Sequence, residues 1–119
     1  MRNSKYRIWL PSIIWGIFIL TITTIPGPEL PKIPLFPGAD KLAHFFLYGI
    51  FGYFLTKASR ISFNLITSIF FPLCIGVIFA MIDELHQKYI PGRSCDIIDF
   101  TADTLGIIIG FLLTWRIIK

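Results

Sequence analysis

Four apolar runs, separated by short polar punctuation, set the frame of this chain. The first, residues 8–25, follows a basic head, MRNSKYR, and carries no charge. It is about long enough to cross a bilayer, and Pro11 lies in its first turn, where a missing N–H does no harm. No small-x-small cleavage site precedes the prolines that follow, so this run reads as a retained anchor rather than a removed signal peptide. Residues 26–39, PGPELPKIPLFPGA, hold five prolines and two glycines and predict an extended loop. The second helix is expected over 41–56, N-capped by Asp40, with a length of roughly 24 Å. Gly49 and Gly52 on it would let a neighbour approach closely. A link, KASR (57–60), leads to a third helix over 61–86, which Pro72 should kink, freeing the carbonyl of Ser68. Glu84 and Lys88 can pair at i,i+4, Asp83 and Gln87 share a face, and Pro91-Gly92 ends the element. The fourth helix spans 96–116, with Asp96 as N-cap and Asp99 three residues on in a variant of the capping box. Ala102, Gly106 and Gly110 form a small-xxx-small ladder for tight contact with a partner helix, and the Gly106/Gly110 face leaves an oligomer open.

Composition turns these runs into a class. The chain is 55% hydrophobic and only 15% charged, well below the quarter expected of a soluble domain. Such a chain cannot cover a water-facing surface. The reading is all-α: one domain over 1–119, an integral bundle of four transmembrane helices in the cell membrane, with the lipid bilayer as its first partner.

Charge then sets the orientation. The formal net charge of +4 could suggest nucleic acid, but the basic residues sit at segment ends rather than along one face, so no nucleic-acid partner is expected. Arg2, Lys5, Arg7, Lys57, Arg60, Arg116 and Lys119 fall on one side of a four-helix topology, and no acid joins them. All seven acids and both histidines fall on the other side. The positive-inside rule therefore places both termini in the cytoplasm and the acids on the outer face. Cys74 lies in an apolar run and Cys95 in a polar loop, about 30 Å apart along a helix path, too far for a disulfide.

The candidate site follows from those acids. Asp99 and Asp103 enter a segment that otherwise reads as lipid-buried helix, where an acid costs roughly 2.5–3.5 kcal/mol on insertion scales. Bundle packing would bring together Asp40, Lys41, His44, Asp83, Glu84, Gln87, Arg93, Asp99 and Asp103. Capping accounts for Asp40 and Asp96 without any function, and a solvated helix end accounts for Glu84, His86 and Lys88. Asp103 needs a partner across the bundle, for which Arg93, Lys41 and His44 are the candidates. Arg93, behind a Pro-Gly turn, is also within reach of Asp99.

Three chemistries could use this set. Arg93 and Lys41 could bind the phosphate or carboxylate of a lipid, polymer or drug. Buried acids could relay protons in a small exporter. His44 with Asp and Glu oxygens could hold a divalent metal, but the spacing matches no ligand motif, so no metal or other cofactor is assigned. No Ser-His-Asp order or nucleophile elbow points to acyl transfer.

The motifs D-K-x-x-H-F (Asp40, Lys41, His44, Phe45), D-E-x-x-Q with P-G-R-S (Asp83, Glu84, Gln87, Pro91, Gly92, Arg93, Ser94) and D-x-x-x-D-T-x-G-x-x-x-G (Asp99, Asp103, Thr104, Gly106, Gly110) resemble the VanZ-like membrane proteins. Their order and spacing cover most of 40–110. Asp103 departs from the pattern, which commonly carries Asn there. The resemblance implies a small helical membrane protein. The family's name comes from resistance to teicoplanin-type glycopeptide antibiotics, which act at the outer face of the cell envelope. No catalytic mechanism comes with it, so the leading expectation is a binding protein rather than an enzyme. Its ligand would be an envelope lipid, a cell-wall component or a glycopeptide. The alternatives are a proton-coupled transporter working as an oligomer, and a metal-dependent enzyme acting on lipid-linked phosphates.

Overall fold

The computed structural model describes residues 6–25, 39–92 and 96–117, with the side chains of Ala39 and Asp40 outside that description. Among these residues the chain is all-α, with four long helices and no strand: α1 (Leu10–Thr24), α2 (Ala39–Ser62), α3 (Leu65–Gln87) and α4 (Ile97–Ile117). The proline-rich stretch 26–38, Arg93, Ser94 and Cys95 lie outside the described residues. α3 and α4 are long and apolar enough to cross a membrane, whereas α1 is a shorter apolar helix.

Successive helices run antiparallel, as the contacts at their ends require. At one end Trp9, just before α1, meets Phe63 at a tilt and Phe71 edge-on, and Arg60 of α2 donates from Nη1 to the carbonyl of Trp115 at 3.1 Å. At the other, Thr23 of α1 meets Asp83 of α3, and Lys41 of α2 meets Asp96 and Asp99 before and on α4. Arg7, Lys57, Arg60 and Arg116 thus share the first end, and the acids share the second.

The second helix is longer than the sequence suggests. α2 continues through residues 57–60, the expected KASR link, and stops at Ser62. Ala58 and Ser59 are fully buried there, and the Arg60 guanidinium lies 4.2 Å from the centroid of the Trp115 ring. Packing against α4 favours helix over a turn at a site with no Gly or Pro to break it. The break comes instead at Asn64, whose side chain accepts from the backbone N–H of Thr67 and caps α3. α3 then runs on through a buried Pro72 to Gln87.

α2 and α4 meet backbone to backbone. A Cβ on Gly106 would strike the Phe45 carbonyl and the Gly49 N–H, and one on Gly110 would strike the Gly49 carbonyl. Gly52 faces Ile107 in the same way, its missing Cβ only 2.7 Å from the Ile107 carbonyl. The small-residue ladder therefore packs on the chain's own α2, the close partner helix that the spacing called for. Beside it, Tyr48, Phe51 and Phe79 pack ring on ring around Ile19, Leu55, Ala80 and Ile107.

The polarity is reversed relative to a water-soluble fold. Buried positions include Asp83, Glu84, Gln87, Asp99 and Asp103, while Ile14, Ile17, Ile66, Phe70, Leu112 and Leu113 are exposed.

Candidate functional site

The acids at the second end are held by helix starts and by one helix end. Asp96 caps α4, its Oδ1 accepting from the backbone N–H of Ile98 at 2.9 Å. The return arm of a capping box would run from Asp99 to the backbone N–H of Asp96. That N–H instead donates to Oε2 of Glu84 at 3.3 Å, across the bundle from α3. Asp99 is freed to face Lys41, with Nζ 2.6 Å from its Oδ1, while Asp96 Oδ2 lies 3.1 Å from the same Nζ. One ammonium thus joins α2 to the first turn of α4.

One turn deeper, His44 Nδ1 lies 2.8 Å from Asp103 Oδ1 and 4.0 Å from Glu84 Oε1. Gln87 Nε2 donates to that same Glu84 oxygen at 3.4 Å. Asp83 sits apart on the neighbouring face of α3. Its carboxyl accepts from Tyr48 Oη at 2.6 Å and from Thr23 Oγ1 at 2.7 Å, which ties α1, α2 and α3 together. Asp83 and Asp103 have no exposed surface, Glu84 retains 3% and Asp99 7%. Burying an unpaired charge is expensive, so each must be satisfied by the bundle or by something bound to it.

Of the nine residues expected at the site, Lys41, His44, Glu84, Gln87, Asp99 and Asp103 form one cluster, with Asp83 beside it. Asp40 lies in the first turn of α2, and its side chain, like Arg93, lies outside the described residues. Among the described residues the cation on Asp99 is Lys41, and the partner of Asp103 is His44. Tyr48 and Thr23 were missed. Tyr48 follows His44 by one helical turn and shares its face, a signal that was available, whereas Thr23 carries none.

Buried acids inside four apolar-faced helices, two of them of spanning length, define a membrane-associated helical bundle. The chain belongs to the VanZ/LLP1 family, whose model matches residues 3–119, essentially its whole length. No curated protein and no solved structure matches it.

Proposed function

We propose that this chain is a four-span protein of the cell membrane, with both termini cytoplasmic and the polar cluster open to the outer face. There it holds the head group of an envelope lipid, a cell-wall component or a glycopeptide. The reversed polarity carries this reading: acids buried at one end of a bundle whose outer surface is apolar. Ionisable groups are kept inside a membrane bundle chiefly where they bind or conduct. The basic residues Arg7, Lys57, Arg60 and Arg116 at the opposite end support the cytoplasmic termini.

Lys41 is already engaged by two carboxylates, so a bare anion gains little from it. An amine- or hydroxyl-bearing group suits the acids better. The test is native mass spectrometry of the purified chain against a panel of envelope lipids, cell-wall precursors and glycopeptides. At least one amine- or hydroxyl-bearing member should be retained, and Asp99→Asn should weaken it at least about tenfold, the loss of one charge-assisted hydrogen bond. Retention of none, or equal retention by Asp99→Asn, overturns the site. For the orientation, a membrane-impermeant thiol reagent on cells with an accessible outer surface should label Cys95 and spare Cys74, whose exposed surface on α3 would face lipid. Labelling of Cys95 only after lysis overturns it.

A further inference from the structure

We propose that His44, Glu84 and Asp103 form a binding site for one divalent transition-metal cation. The three side chains come from α2, α3 and α4, all are buried, and one donor atom from each lies within 4.8 Å of the others. One imidazole and two carboxylates make a donor set suited to Zn²⁺, and also to Mn²⁺ or Fe²⁺. Around an ion with bonds of about 2.0–2.1 Å, tetrahedral donors stand about 3.4 Å apart. The His44–Asp103 distance is 2.8 Å and the His44–Glu84 distance 4.0 Å. Seating an ion opens the first and closes the second by roughly half an ångström each, and the Glu84 and Asp103 donors start within 4.8 Å of one another.

A second observation points to something bound. Asp103 has no exposed surface and its Oδ1 is engaged by His44, yet its Oδ2 has no hydrogen-bond partner among the described residues. A buried acceptor in that state is costly, and a cation held by the carboxylate supplies what it lacks. Charge points the same way. Glu84, Asp99 and Asp103 are buried, and among the described residues Lys41 is the ammonium set against Asp99. His44 as a ligand is neutral, so a divalent ion balances the Glu84 and Asp103 carboxylates.

The surroundings fit a ligand shell. The Asp96 backbone N–H and the Gln87 amide hold the two oxygens of Glu84, as outer-shell donors orient a metal-binding carboxylate. Beside Glu84 lies a cleft of about 220 Å³, lined also by Met81, Leu85, Asp96, Ile97 and Phe100. Three protein donors leave at least one position for water or another oxygen ligand, the arrangement of an open site rather than a purely structural one. The site stands on these contacts alone, independent of the head-group reading and of the chain's orientation.

The test uses the full chain in detergent, stripped with chelator and titrated with Zn²⁺ and, separately, Mn²⁺. Equilibrium dialysis with elemental analysis should find one Zn²⁺ per chain. His44→Gln and Asp103→Asn should each weaken it more than about 100-fold, beyond the loss typical of an outer-shell change. His86→Gln, at an exposed position, should bind as the parent does. Because the first two variants can also fail to fold, zinc K-edge absorption on the loaded parent provides a separate reading. It should show only nitrogen and oxygen donors and the outer-shell pattern of a single imidazole. A folded parent that takes up no Zn²⁺ or Mn²⁺, sulfur or two imidazoles around the zinc, affinity unchanged in Asp103→Asn, or affinity lost in His86→Gln would each overturn the site.

Discussion

Tyr48→Phe removes one oxygen and almost nothing else. The ring stays, so its packing against Phe51 and Phe79, at centroid distances of 6.2 and 6.1 Å, is kept. What is lost is the 2.6 Å hydrogen bond from Tyr48 Oη to Asp83 Oδ2. Asp83 is completely buried, so water cannot take the place of the phenol. A hydrogen bond to a charged group is worth about 1.5–3 kcal/mol in soluble proteins. Pairs measured inside membrane bundles average only about 0.6 and reach about 1.7 kcal/mol, because the unfolded chain in lipid also finds partners. The full burial of Asp83 argues for the upper part of that range, and we expect a loss of about 1–2 kcal/mol. Unfolding by SDS in mixed micelles, followed through the fluorescence of Trp9, Trp15 and Trp115, measures it. Thr23→Val removes the second hydroxyl on the same carboxyl, at 2.7 Å, so the two changes should be non-additive by at least about 0.5 kcal/mol. A Tyr48→Phe chain that unfolds at the parent's SDS fraction, with additive behaviour in the double variant, would refute the view that these hydroxyls hold Asp83.

Two further outcomes follow from the packing. Gly106→Leu places a side chain against the Phe45 carbonyl and the Gly49 N–H of the facing helix, where only main chain could yield; the yield of monodisperse protein in mild detergent should fall sharply, and a variant as abundant and heat-resistant as the parent would remove the basis for this helix contact. Lys41→Met leaves Asp99, 10% exposed at its side chain, without the ammonium now 2.6 Å away. Breaking a fully buried pair costs about 3–5 kcal/mol, but Lys41 keeps 30% exposure, so SDS unfolding should show a smaller loss of about 2 kcal/mol.

Much of this protein was legible in the sequence because it rests on local rules. Long apolar runs and few charges imply buried helices, and each predicted helix is present. The cap at Asp96 was equally readable, since a side chain two residues from the N–H it accepts needs no tertiary partner. The motif acids were traced to one end of the bundle because alternating helix direction follows from short connections. Tertiary structure decided what depends on contacts between distant residues. Residues 57–60 look like a link in isolation, but the bundle buries Ala58 and Ser59 and α4 seats Arg60 on Trp115, and the helix continues. The Gly106/Gly110 ladder announces a close neighbour without saying that the neighbour is α2 of the same chain. Asp99 is met by Lys41, from a helix more than fifty positions earlier, a pairing no local spacing could register; the expected contact with Arg93 lies outside the described residues. His44, Glu84 and Asp103 were legible as members of one polar end, and His44 with Asp and Glu oxygens as a possible metal set, but not as this particular trio. Each stands on a different helix, so no spacing in the sequence could register them as a set, and only the close approach of α2, α3 and α4 brings their donor atoms within 4.8 Å.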